Sequence, residues 1–113
     1  MSMPIFKRSL ERLVVDPHGF RLERGPESID VGLDQIVRIE AYKRDELTTD
    51  LICMDIWFDP RTADSVFFMH EEIPGFDDVV ARLEDLPGFD KLWWGKLIKP
   101  AFAENRLVVY ERG

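Results

Sequence analysis

The side chains best suited to chemistry in this chain are a histidine and several carboxylates. His70 is followed by Glu71 and Glu72, and Asp55 belongs to a neighbouring apolar segment. Histidine and carboxylate groups are ligands for zinc, manganese or iron. The spacing matches no helical HExxH site, because no second histidine stands four residues further on. An enzyme or a metal- or ligand-binding domain that uses Asp55, His70 and Glu72 is therefore the alternative reading, and we expect no resident metal or cofactor.

Nucleophilic catalysis finds little support in the residue types. Cys53 is the only cysteine and lies in an apolar run over residues 51–54, where a free cysteine usually behaves as a small hydrophobe. Ser28 and Ser65 stand in no G-x-S-x-G elbow, and the chain has no glycine-rich phosphate loop. Adjacent carboxylates such as Asp77 and Asp78 do not face each other on a helix. These patterns favour a non-enzymatic function.

The three tryptophans are more informative than the titratable groups. On a helical wheel over residues 89–98, Trp93 falls at the centre of the apolar arc and Trp94 at its edge. Trp57 alternates with the apolar residues of its strand, so it points away from the core face. Exposed tryptophan beside charged residues is typical of a binding hot spot. In the alternative arrangement both faces of the sheet are covered and all three tryptophans are packed.

The periodicity places these residues on a mixed set of elements. Alternation predicts strands, and the spacing of residues 76, 79, 80, 83 and 86 predicts one apolar helical face. Strands grouped before helices indicate an α+β class. We expect a single domain over residues 1–113, a curled antiparallel sheet of about six strands with helices covering one face. The predicted order is a β-hairpin over 10–24, strands over 35–43, 48–58 and 66–70, helices over 76–86 and 89–98, and a strand over 106–111.

Two short segments that precede the predicted helices repeat each other. Ile73-Pro74-Gly75-Phe76-Asp77 recurs as Leu86-Pro87-Gly88-Phe89-Asp90. The period is far too short for a repeat protein. We interpret the two copies as the same kind of turn used before two helices.

The composition excludes several classes of function. The 113 residues carry a formal net charge of −7, which repels phosphate backbones and anionic membranes. A membrane span needs about 20 apolar residues, and the apolar runs here are far shorter. One cysteine cannot form an internal disulfide, and no signal peptide is evident. We therefore expect a cytoplasmic protein that binds no nucleic acid and no membrane.

The negative charge is concentrated in the middle of the chain. Residues 45–90 hold 13 acidic and two basic residues, a net charge of −11, and the remainder carries +4. If this segment forms one face, that face is the surface for a basic protein partner, because acidic charge steers such a partner and raises its association rate. The predicted partner-binding residues are Trp57, Trp94, Asp55, Asp59, Asp64, Glu71 and Asp78.

Several segments resemble a family of small uncharacterised bacterial proteins. The likeness lies in residues 41–45, 48–54 and 73–77, in Trp93-Trp94 and in residues 100–103. Over residues 10–86 the succession of short strands before a helix is also similar to bacterial pleckstrin-homology-like domains. Neither resemblance supplies catalytic residues.

The favoured hypothesis is a non-catalytic protein-interaction module, in its specific form an immunity protein that covers the active site of a basic toxin. The protein would act as a monomer or a homodimer. A structural subunit that buries its tryptophan face in a homodimer is a further alternative.

Overall fold

A computed structural model describes residues 11–45, 50–59, 66–98 and 106–112. Within these residues the chain forms seven strands in two antiparallel sheets, together with two helices. The α+β class is therefore confirmed. The elements are β1 (Glu11–Val15), β2 (Gly19–Arg24), β3 (Glu27–Gly32), β4 (Ile36–Asp45), β5 (Asp50–Phe58), β6 (Val66–His70), α1 (Phe76–Leu83), α2 (Trp93–Ile98) and β7 (Arg106–Glu111).

The predicted hairpin at the start of the described chain is confirmed as β1 and β2. Its turn is held by Asp16, whose carboxylate accepts backbone N–H bonds from His18 at 2.9 Å and Gly19 at 2.8 Å. An aspartate in this position satisfies the backbone groups that the turn leaves without ladder partners.

The hairpin continues into a strand that the sequence analysis missed. β3 pairs with β2 through the tight turn Gly25-Pro26, where Gly25 has a φ of 58° and glycine meets no steric cost. No strand is predicted from the sequence between residues 24 and 35. The first four residues of β3 are all exposed. Because neither side of this part of the strand is buried, its sequence shows no alternation of apolar and polar residues.

The second sheet has the strand order β6-β5-β4-β7. The prediction of one curled sheet of about six strands is therefore wrong in detail, since the strands divide into a three-stranded and a four-stranded sheet. The change occurs at the short 3-10 turn Leu33–Gln35, which separates β3 from β4. Hydrophobic alternation reports which side of a strand is buried, and it does not report where one sheet ends and the next begins.

The main core contains apolar residues from both sheets. Ile52, Met54 and Ile56 of β5 are buried as predicted, and Phe20 of β2 meets Phe67 of β6 edge-to-face at 5.4 Å between ring centroids. Such contacts bring the core sides of the two sheets together, which leaves the opposite side of the four-stranded sheet as a separate surface.

The two helices contact the sheets at different places. α1 contacts β1, and α2 contacts β4 and β7. Trp93 and Leu97 are buried as the wheel predicts, but α2 begins at Trp93 instead of residue 89. Asp90 explains the late start, because its backbone N–H donates to Val109 of β7 and its carboxylate accepts from Leu92. Neither described helix is long and apolar enough to cross a membrane.

Candidate functional site

The side of the four-stranded sheet that faces away from the core carries a mixture of aromatic, apolar and ion-paired side chains. Register pairing aligns Arg38 with Trp57, Glu40 with Asp55 and Val108, Asp55 with Phe68, and Tyr42 with Arg106. Paired residues of antiparallel strands project to the same side. We call this surface the outer face, defined by Arg38, Glu40, Tyr42, Asp55, Trp57, Phe68, Arg106 and Val108.

The first half of the outer face is organised around Arg38. Its guanidinium donates to Glu40 at 2.7 Å and to Glu111 at 2.9 Å. The same group lies over the ring of Trp57, 6.0 Å from its centroid, which is within the range of a cation–π contact. Two carboxylates therefore fix the position of the cation that covers the tryptophan.

The second half repeats this arrangement around Arg106. The guanidinium donates to Glu40 at 2.6 Å and also binds Asp55. It lies 4.2 Å from the ring centroid of Tyr42, whose hydroxyl donates to Asp55 at 3.2 Å. Glu40 joins the two halves, because it accepts from both arginines.

The electrostatics of the network keep its groups in fixed protonation states. Burial would raise the pKa of the Glu40 carboxyl, but Arg38 and Arg106 outweigh burial and hold this pKa below its ordinary value. Burial, followed by the negative charge of Asp55, raises the pKa of Tyr42 to about 12. At neutral pH Glu40 is therefore a charged acceptor and Tyr42 a neutral donor.

The predicted acidic residues do not form one free surface. Asp55 is neutralised by Arg106, and Asp59 by Arg112 at 2.5 Å, so the basic C-terminal strand folds back onto the acidic segment. Glu71 accepts the backbone N–H of Ile52 at 2.9 Å. Asp64 lies outside the described residues.

A smaller acidic surface remains at the start of α1. Asp77 and Asp78 lie in the first turn of this helix, where the helix dipole stabilises negative charge. Neither has a cation partner among the residues described, and Glu72 close by has none either. Of the predicted acidic set, Asp78 therefore belongs to an exposed, uncompensated patch.

The two predicted binding tryptophans lie on opposite sides of the four-stranded sheet. Trp57 is half-buried on the outer face. Trp94 is 47% exposed on α2, the helix whose Trp93 and Leu97 belong to the core cluster. The structure therefore does not bring Trp57 and Trp94 into one site.

The three residues of the alternative histidine–carboxylate site do not line one cavity. His70 and Glu72 border an open cavity of about 340 Å³ with Glu11 and Ile73, but Asp55 does not border it. The Nδ1 atom of His70 accepts the backbone N–H of Glu72 at 3.2 Å. In the described part of the chain no group of three or more histidine, cysteine, aspartate or glutamate side chains is placed to hold a metal ion.

Most outer-face residues escaped the sequence analysis. The alternation of residues 35–43 places Arg38, Glu40 and Tyr42 on one side of a strand, but it does not show which side chains they meet there. Arg106 was not singled out, because its partner Glu40 is far away in the sequence and only the pairing of β4 with β7 brings them together. Phe68 and Val108 are exposed apolar residues, and their exposure could not be predicted because it depends on which parts of the folded chain cover them.

We expect Arg106→Met to destabilise the protein by about 1–2 kcal/mol, because Asp55 and Glu40 lose a cation partner while they are only 15% and 13% exposed. Urea unfolding at neutral pH measures the loss. The matched control is Arg24→Met, which removes an exposed pair with Glu11 and should cost at most about 0.5 kcal/mol. Equal losses in both variants would contradict the network.

The difference in unfolding free energy between the unsubstituted protein and Arg106→Met should depend on pH. The pKa of Glu40 is lower in the folded than in the unfolded chain, so its contribution is present above about pH 4.5 and is lost as pH falls through the folded pKa. The difference in unfolding free energy between the unsubstituted protein and Arg106→Met should therefore decrease as the pH falls below about 4.5. An increase of this difference in acid would show that the ion pair of Arg106 with Glu40 does not stabilise the folded protein as described.

Comparison of the chain with family models, with curated proteins and with solved structures gives no match.

Proposed function

We propose that this protein is a non-catalytic protein-interaction module and that the outer face is its binding surface. The observation that carries the proposal is the pair of guanidinium groups held by carboxylates over the rings of Trp57 and Tyr42. Tryptophan, tyrosine and arginine are the residue types most enriched in binding hot spots.

The support for this surface is its rigidity as well as its composition. Arginine side chains lose considerable rotamer freedom when a partner immobilises them. Here Arg38 and Arg106 are already ordered by ion pairs, and both project from a four-stranded sheet. A partner would therefore pay less of the ordering cost that normally reduces affinity.

The apolar side chains on the same surface supply area that a partner can desolvate. Phe68 is 40% and Val108 is 41% exposed, and they flank Asp55 and Glu40 in the sheet register. Interfaces typically combine an apolar centre with ordered polar groups around it. An open sheet face of this kind suits a protein surface better than a small enclosed ligand.

The charge of the protein favours a basic partner. The net charge is −7, and the uncompensated carboxylates Asp77 and Asp78 contribute a local negative field at α1. Such a field raises the association rate of a cationic protein and weakens with added salt. The specific form of the proposal is an immunity protein that covers a basic toxin of nuclease type.

The chemistry of the network supports binding over acid–base catalysis. A carboxylate with a lowered pKa, such as Glu40, is a poor general acid at neutral pH. Asp55 is bound by Arg106 and Tyr42, one on each carboxylate oxygen. Both carboxylates serve to hold cations in place.

Purified products of the genes adjacent to this one provide the test. We expect one of them to bind, and the complex to slow amide hydrogen exchange in β4, β5 and β6 beneath the outer face, with little change in α2. A titration at increasing salt should show weaker association. Failure of every adjacent product to bind, or protection confined to α2, would contradict the proposal.

A further inference from the structure

The three-stranded sheet has an open edge at β3. Glu27, Ser28, Ile29 and Asp30 are all exposed, and β3 pairs with β2 alone among the described strands. An unpaired strand edge presents backbone groups that another extended chain can bind. The exposure of four consecutive residues shows that solvent reaches this edge.

The register identifies which backbone groups face outward. In a hairpin closed by a two-residue turn, the residues flanking the turn form a hydrogen-bonded pair, and every second pair after it does the same. Arg24 pairs with Glu27 and Leu22 with Ile29, so the N–H and C=O groups of Ser28 and Asp30 point away from β2.

The next outward position supports this assignment. The N–H of Gly32 is bound by the side-chain oxygen of Gln35 at 3.0 Å, so it needs a side-chain partner instead of a strand partner. Ser28 and Asp30 have no such cap among the described residues. The usable part of the edge therefore extends from Ser28 to Asp30 and ends at Gly32.

The charged side chains of β3 and of the turn that follows it, Glu27, Asp30 and Asp34, are all acidic. Glu27, Asp30 and Asp34 form no salt bridge within the described ranges. Arg21, which lies opposite Asp30, donates to Glu23 at 2.8 Å. An open cavity of about 470 Å³ at the end of β3 is bordered by Asp16, Asp30 and Asp34. Long basic side chains fit this end of the edge.

The side of β3 that faces the core carries an exposed apolar side chain, Ile29. Ile29 pairs with Leu22, which faces the core, yet Ile29 is 45% exposed, and β3 becomes buried only at Val31. An added strand would cover Ile29 with one of its own apolar side chains. Alternate residues of the added strand point to the two sides of the sheet.

From these observations we infer that β3 accepts an extended basic segment of another protein as a fourth strand of the three-stranded sheet. The backbone groups of Ser28 and Asp30 bind the segment, its lysine or arginine side chains contact Asp30 and Asp34, and an alternating apolar side chain covers Ile29. A second copy of this chain is a poor occupant, because β3–β3 pairing would place Glu27 and Asp30 of both copies on one small sheet without any cation in either strand.

This inference goes beyond the proposed function, since it concerns a different sheet and a different surface from the outer face. The two proposals also fail independently. A peptide that binds β3 leaves the outer face unperturbed, and a partner that binds the outer face is not affected by changes in β3.

The probe is a short capped peptide of alternating lysine and valine, compared with one of alternating glutamate and valine. We expect the lysine peptide to slow amide exchange at Ser28 and Asp30, with an affinity that falls as salt is added. The glutamate peptide should not bind. No change at β3 with millimolar lysine peptide, or a change confined to the outer face, would overturn the inference.

Two substitutions separate backbone binding from charge. Ser28→Pro removes an outward N–H without removing a native ladder bond and should weaken the lysine peptide about tenfold, while Ser28→Ala should leave its affinity unchanged. Asp30→Lys should weaken the lysine peptide and allow the glutamate peptide to bind. Unchanged affinity in both Ser28→Pro and Asp30→Lys, or self-association through β3 in the absence of peptide, would overturn the inference.

Discussion

Replacing Gly75 with alanine is expected to destabilise the protein by about 3 kcal/mol or more. Gly75 has a φ of 92°, a conformation that costs an L-residue about 1–2 kcal/mol. A Cβ atom there would also lie 2.0 Å from the backbone oxygen of Leu13. Leu13 donates to Pro74 at 2.7 Å, so relieving this clash would separate α1 from β1.

The repeated Pro-Gly-Phe-Asp segment provides a matched control. Gly88 has a φ of 87°, nearly the same as that of Gly75, but a Cβ atom there would have no neighbour within 4 Å. Gly88→Ala should therefore cost only the conformational strain, about 1–2 kcal/mol. Urea unfolding of both variants measures the difference, which reports the close approach of the backbone at Gly75. Equal losses of stability in the two variants would show that the close contact between Gly75 and the Leu13 backbone does not affect stability.

The two glycines also illustrate what sequence patterns can predict. The repeat correctly marked two turns ahead of the helical segments, and the positive φ of each glycine explains why glycine is needed. The contact of Gly75 with β1 is a tertiary feature that the repeat does not encode. The identical local motif therefore has different energetic consequences in its two settings.

The strand boundaries followed from the sequence wherever one side of a strand is buried. β5 alternates between core and outer residues, so its position was predicted to within about two residues. β3 has no buried residue until Val31 and gave no such signal. The same exposure that hid β3 from the sequence analysis makes it the open edge described above.

The role of the charge distribution became clear only from the fold. The sequence showed an acidic middle and basic ends, and it left open whether the ends neutralise the middle. Arg106 and Arg112 of the C-terminal segment bind Asp55 and Asp59, so part of the acidic segment is used internally. Asp55 therefore holds Arg106 in position on the outer face, whereas Asp77 and Asp78 have no cation partner among the described residues.

The largest expected effect on binding comes from Trp57. Its side chain is covered on one side by Arg38 and is open to a partner on the outer face. Truncation of a central hot-spot tryptophan costs about 2–4 kcal/mol of binding free energy. Trp57→Ala should therefore raise the dissociation constant of the complex by at least about 30-fold, and circular dichroism with urea unfolding checks that the variant is folded.

Trp94→Ala is the matched control, since it removes an exposed tryptophan from the opposite side of the four-stranded sheet. The measurement that tests the central claim most directly is the ratio of the two dissociation constants, determined by calorimetry with the bound product of an adjacent gene. The outer-face account predicts a loss of about 30-fold or more for Trp57→Ala and less than about threefold for Trp94→Ala. A larger loss for Trp94→Ala, or losses below about threefold in both variants, would contradict the assignment of the outer face as the binding surface.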